Sequence, residues 1–145
     1  MKVYIALDKN NGFIFNHRRQ AQDRGMRENM LKDVGDSKLW ISEYSRRIFT
    51  PTDGSAFPEN VIVDNDFLAK AGPNDCCFVE NVSPLEWYDK IDTFVLYKWN
   101  TLYPADFYFD LSLDNLGWNK FSVNHFKGST HDKITKEVWK RARQD

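Results

Sequence analysis

The groups with the most chemical capacity in this 145-residue sequence are one carboxylate, a knot of guanidinium groups around it, and two histidines near the end of the chain. Asp23 stands at the head of residues 22–34, where Met26, Met30, Leu31 and Val34 recur at i, i+4, i+5 and i+8, the spacing of one helical face. A carboxylate in that position has two uses. It caps the helix by accepting its first free N–H groups, or it pairs through charge-assisted hydrogen bonds with the amidine-like edge of a pterin, purine or pyrimidine. Arg18, Arg19, Arg24 and Arg27, with Asn16, Gln20 and Gln22 among them, form the densest basic cluster. Guanidinium forks suit phosphate or carboxylate, and the alternative is a solvated loop. His125, Lys127 and His131 fall close together around a turn, the kind of set that acid–base cleavage of RNA uses. They lack the helical i, i+4 spacing or cysteine partner of a zinc site, so no metal is expected.

Composition narrows the class. One domain spanning residues 1–145 is expected at this length. Its aromatic residues, 11 Phe, 6 Tyr and 5 Trp, suit a core of large rings or a surface for flat ligands. The net charge of −1 hides a segregation: residues 1–49 carry ten Lys/Arg against six Asp/Glu, residues 51–115 three against twelve, and residues 116–145 seven against three. A pI near 6.3 lies far below that of a dedicated nucleic-acid binder. No basic-then-apolar leader and no apolar run near the ~18 residues of a membrane span occur, which makes the cytoplasm the expected location and a membrane partner unexpected. Cys76 and Cys77 are adjacent in an apolar run, so as strand residues they point to opposite faces and cannot bridge each other.

The elements that must position these groups alternate between strand and helix. Lys2–Leu7 is an apolar strand that breaks into Asp-Lys-Asn-Asn-Gly12, and residues 13–21 read as an ordered loop before the helix that Gly35 stops. Lys38–Ile41 reads as a short buried strand, and Ser42 as the N-cap of a helix over Tyr44–Phe49. Val61–Val63 and Cys76–Val79 are short strands buried on both faces. Pro84–Ile91 is a helical turn, Thr93–Asn100 the strongest strand, and Trp118–Phe126 another. The last segment, Lys133–Arg143, favours helix by local propensity.

In this order the elements resemble a shortened dihydrofolate reductase fold over about residues 2–143. The opening strand and its Gly12 turn resemble that family's first strand and mobile substrate loop, and Asp23 stands near the family's single active-site carboxylate. Leu39–Ser45 resembles the strand-to-helix junction that holds cofactor phosphate, Phe94–Asp110 the long sixth strand, and Trp118–Arg143 the closing β-hairpin, which makes the last segment a strand. The implied architecture is α/β in three layers: a central mixed, twisted sheet flanked by helices, with the helix–strand unit before the sixth strand shortened.

The departures from the family bear on function. Between Glu80 and Asp92 the pattern calls for a helix, a strand and a glycine pair to seat a dinucleotide pyrophosphate, but no glycine lies there. The phosphate-gripping arginine is replaced by Glu43, and the loop's proline-tryptophan pair by Arg18-Arg19-Gln20. Half of an NADPH site is therefore missing, and no cofactor is expected. The resemblance implies a cleft, lined by Trp40, Trp99 and Tyr103 and approached by Asn16, Arg18, Arg19, Gln20, Asp23, Ser42 and Tyr44, that takes a small molecule bearing a phosphate or heteroaromatic ring without redox chemistry. The alternatives are a reduced NADPH-dependent reductase in which Asp23 is catalytic, and an RNA-binding or RNA-cleaving protein.

Overall fold

The computed structural model describes residues 1–142. Strand β1 (Lys2–Leu7) is followed by β2 (Gly12–Phe15), β3 (Arg18–Arg19), helix α1 (Arg24–Val34) and β4 (Leu39–Ile41). A 3-10 turn, Glu43–Ser45, leads into α2 (Arg46–Phe49), β5 (Val61–Val63), α3 (Phe67–Lys70) and β6 (Cys76–Phe78). A second 3-10 helix, Leu85–Lys90, precedes β7 (Thr93–Lys98), β8 (Phe107–Tyr108), β9 (Asn119–Phe126) and β10 (Ile134–Lys140).

The main sheet runs β5-β4-β6-β1-β7-β10-β9. Its first five strands are parallel, and β10 lies antiparallel between β7 and β9. Central strands of a parallel sheet are covered on both faces, which is why β1, β6 and β7 read as nearly unbroken apolar runs. On one face Tyr4, Phe78, Val95 and Tyr97 pack under Met26, Met30 and Val34 of α1. The Tyr4 hydroxyl donates to Asp33, and the Tyr97 hydroxyl donates to Asn29 at 2.7 Å, so two polar pins hold α1 across the sheet. On the other face Val3, Ile5, Phe94 and Leu96 pack under Phe67 and Leu68 of α3 and under Phe109, Leu113 and Trp118. The cysteine side chains go to opposite faces, and burial pushes both thiols up, Cys77 to about 12.

Three local readings change. Residues 13–21 form a hairpin rather than a loop: β2 pairs with β3 and, on its other edge, with β8, which makes a second, three-stranded sheet. Its turn, Asn16-His17, has φ of 51° and 62°, the left-handed pair of a two-residue hairpin loop, formed here without a glycine. The long strand ends at Lys98, because Asn100 at φ 60° turns the chain away, and Phe107–Tyr108 joins the second sheet instead. Ser42 makes no capping bond, since its hydroxyl faces Ser45 Oγ at 3.4 Å. Residues 80–92 hold a single 3-10 helix and no strand, in keeping with the helical turn expected over Pro84–Ile91. The last segment is a strand, as the resemblance implied against local propensity, because β7 and β9 offer it hydrogen bonds on both edges. Its expected final residue, Arg143, lies outside the described residues.

Phe94 ties the 104–118 segment to the sheet, its ring centroid 5.4 Å from Phe109 and 5.1 Å from Trp118. Replacing it by alanine is expected to cost about 3–5 kcal/mol in chemical denaturation. A loss under about 1 kcal/mol would show that this segment folds independently of the sheet.

Candidate functional site

Asp23 is the N-cap of α1, and its carboxylate is fully engaged. Oδ1 accepts from the backbone N–H of Met26 at 3.0 Å and of Ser129 at 2.9 Å. Oδ2 accepts from the N–H of Thr130 at 2.9 Å, the N–H of His131 at 3.2 Å and the Thr130 hydroxyl at 3.1 Å, and it lies 3.0 Å from His131 Nδ1. Six contacts exceed the roughly four lone-pair sites of a carboxylate. The turn before β10 can approach this closely only because residue 128 is glycine, as a Cβ there would collide with the Asp23 carboxylate. Burial alone would raise the Asp23 carboxyl, but hydrogen bonds led by the Thr130 N–H and the His131 imidazole hold it well below the usual carboxylate range. His131 continues the chain, with Nε2 2.7 Å from the Tyr103 hydroxyl and the Trp99 ring stacked on it at 4.4 Å. The ligand-anchoring and catalytic role expected of Asp23 is replaced by a clasp between α1 and the 128–131 turn, because no oxygen is left over.

Beside the clasp lies a cavity of about 250 Å³ between α1 and the sheet. Ala6, Met26, Ile48, Phe78 and Trp99 form its apolar walls, while Arg27, Thr130 and Glu80 supply polar groups. That is a little under the ~300–1,000 Å³ of pockets for drug-sized molecules, and it has room for one ring system. Arg27 Nη1 donates to the Ile48 carbonyl at 2.9 Å, which fixes the guanidinium at the cavity wall.

At the end of β6 the buried Glu80 receives Arg19 in a forked pair, Nε to Oε2 at 2.8 Å and Nη2 to Oε1 at 3.1 Å. Ser45 Oγ donates to the same Oε1 at 2.7 Å. The Tyr44 ring lies 4.7 Å under the Arg19 guanidinium, and its hydroxyl accepts from the Arg19 N–H at 2.7 Å. This network joins the hairpin to the end of β6, where the segment begins in which the resemblance places the seat of a dinucleotide pyrophosphate, and to the 43–45 turn, where it places a cofactor phosphate. A buried carboxylate repels phosphate, and the one guanidinium facing it is already neutralised, so the residues present do not fit that group. Outside the network Arg46, Arg47, Tyr44 and Thr50 line an open basic depression, in which Arg46 is paired with Glu43 at 2.9 Å.

Of the residues singled out from sequence, Arg19, Gln20, Asp23 and Trp99 come together around the cavity. Tyr103 sits behind His131, and Tyr44 supports Arg19. Asn16 and Arg18 are exposed at the hairpin turn. Ser42 is buried against Ser45. Trp40 lies on the opposite face of the sheet, packed against the second core and donating to Asp75 at 3.0 Å, so it cannot line this cleft. His131 is buried in the clasp and His125 pairs with Thr135 at 2.9 Å, so the two histidines and Lys127 do not converge on an open surface. Among the described residues no group of three His, Cys, Asp or Glu is placed to hold a metal, and no helix is long and apolar enough to cross a membrane. Glu80 escaped notice in the sequence, though an acidic residue closing the run Cys76-Cys-Phe-Val79 is the signal of a charge buried with a partner.

No protein-family model and no curated protein matches this sequence. Among solved structures it is similar to dihydrofolate reductase from Enterococcus faecalis complexed with NADP(H) and RAB-propyl, with a TM-score of 0.66 and 11 % identity over 98 % of this chain and 96 % of that one. The fold is dihydrofolate reductase-like, and identity this low speaks for the fold alone.

Two outcomes follow from the charge placement. Arg19→Met leaves Glu80 buried without its partner and is expected to cost about 3–5 kcal/mol, part of it regained in Arg19→Met/Glu80→Gln. No recovery in the double variant would contradict the pairing. Because the native Asp23 carboxyl titrates below its unfolded value of ~3.9, its stabilisation is present above that pH and is lost as pH falls through the lower native value. Unfolding free energy is therefore expected to drop on acidification below about pH 4, and a flat profile there would contradict the clasp.

Proposed function

We propose that this protein binds a small nucleotide-like or pterin-like molecule in the cavity between α1 and the sheet, without hydride transfer. The observation that carries this reading is the cavity itself: apolar walls for a flat ring, with the Trp99 indole as one of them, and Arg27 at the side to meet an anionic substituent. The likeness to a reductase solved with NADP(H) supports a ligand site in this fold. The Arg19–Glu80 network argues against the redox half of that activity. Hydride transfer demands a nicotinamide held in near-attack geometry, which supplies ~7–11 kcal/mol of the barrier reduction, and the carboxylate at the end of β6 opposes the phosphates that would do the holding.

The ligand is not anchored by Asp23 in this account. Its ring is held by packing against Ala6, Phe78 and Trp99, and its orientation comes from the polar groups that line the cavity. Strand β2 of the neighbouring hairpin is already paired on both of its edges, with β3 and with β8, so the ligand meets a site organised before it arrives.

A thermal-shift panel of nucleotides and pterins tests the reading. One class is expected to stabilise the protein by about 2.7 kcal/mol at a hundredfold excess over Kd, and Ala6→Leu, which fills the cavity, to weaken that compound by roughly tenfold or more. No stabilisation by any member, or stoichiometric oxidation of a reduced nicotinamide cofactor with any pterin, would contradict it.

A further inference from the structure

Gln20 carries the one buried side-chain polar atom among the described residues that has no hydrogen-bond partner, its Oε1. The orientation of the amide is fixed by its other end. Nε2 donates to Asp8 Oδ2 at 2.9 Å and to the Pro104 carbonyl at 3.3 Å, and two acceptors there exclude the flipped amide. A buried acceptor with nothing to accept from carries a desolvation cost, so native structures leave few of them.

The position of this atom gives it a use. Gln20 lines a void of about 10 Å³ together with Ala6, Ala21, Glu80 and Trp99, and these four also line the cavity beside α1. The void is thus the inner end of that cavity. The second polar group there, Glu80, has three donors on its two oxygens, two from Arg19 and one from Ser45, which leaves it one acceptor site open. Arg19 turns its Nε onto Glu80 and its Nη2 onto Glu80 and the Tyr44 carbonyl. The unused positions on Gln20 and Glu80 are both acceptors.

We propose that Gln20 is a specificity-determining residue whose Oε1 accepts from an exocyclic amino group on the ligand ring, so that the site takes amino-substituted heterocycles and rejects their keto counterparts. This rests on the small-molecule reading above. A keto oxygen placed there would face Gln20 Oε1 and Glu80 with lone pairs on both sides, and the desolvated acceptor would stay unpaired. Gly12 adjoins the arrangement, since a Cβ on it would collide with the Ala105 side chain and crowd Asp8 Oδ2 and Gln20 Nε2, both at 3.0 Å.

The test compares matched pairs on the native protein: cytidine against uridine 5′-monophosphate, and adenosine against inosine 5′-monophosphate, by calorimetric titration. The amino member of at least one pair is expected to bind roughly tenfold more tightly or better, and Gln20→Met to bring that ratio close to one. A merely structural Gln20 would lower stability in the variant and leave the ratio intact. Equal binding of amino and keto members by the native protein, or a ratio that survives Gln20→Met, overturns the assignment while the binding reading stands. If the panel of nucleotides and pterins gives no ligand at all, the binding reading fails and this inference with it.

Discussion

The Asp23 carboxylate is the contact on which the rest of the arrangement depends. It closes the start of α1 and, through Ser129, Thr130 and His131, fastens the connection between β9 and β10 to that helix, more than a hundred residues away in sequence. Charge-assisted bonds to backbone N–H groups are among the strongest a carboxylate makes. The ion is desolvated without being left unpaired, so removing it would strand several buried donors at once. The clasp also places Trp99, which stacks on His131, and Trp99 in turn forms a wall of the cavity.

Two further buried carboxylates repeat this pattern nearby. Asp8 gathers the N–H groups of Asn10 and Gly12, both at 2.8 Å, and Gln20 Nε2 at 2.9 Å, which ties the turn after β1 to the hairpin. Glu80 gathers Arg19 and Ser45, which ties the hairpin to β6 and the 43–45 turn. Asp23 and Glu80 each join segments distant in sequence, and all three carboxylates are hydrogen-bonded inside the protein. The segment that resembles a mobile substrate loop is consequently tied by Asp8 and Glu80, and its strand β2 is paired on both edges. Under the proposed reading, such a site gains affinity by preorganisation rather than by closure.

Much of the fold was legible because the parallel strands are buried on both faces and announce themselves as short apolar runs between turn residues, as in Val61–Val63 and Cys76–Phe78. Helix α1 was legible from its 3.6-residue period, and its cap from Asp23 itself. The hairpin over residues 12–19 was hidden by an Asn-His turn with no glycine, and α3 by its length of four residues. The strand character of residues 134–140 could not be read locally, since it is set by partners on both edges. The site was less legible than the fold for a related reason. A carboxylate that caps a helix and one that binds a ligand have the same sequence signature, and only the approach of Gly128 decided between them at Asp23. Trp40 looked like a cleft residue because a strand's facing cannot be assigned until its neighbours are known.

The account stands or falls on whether Asp23 holds the protein together or holds its ligand. Asp23→Asn puts an amide N–H among the donors of Met26, Ser129, Thr130 and His131. Unfolding free energy and ligand affinity, measured on the same sample well below its melting point, separate the two roles. A structural clasp predicts a loss of about 2–4 kcal/mol in stability with affinity for the panel's best compound kept within roughly threefold. Stability unchanged and affinity lost by about tenfold or more would contradict it and return the carboxylate to the ligand.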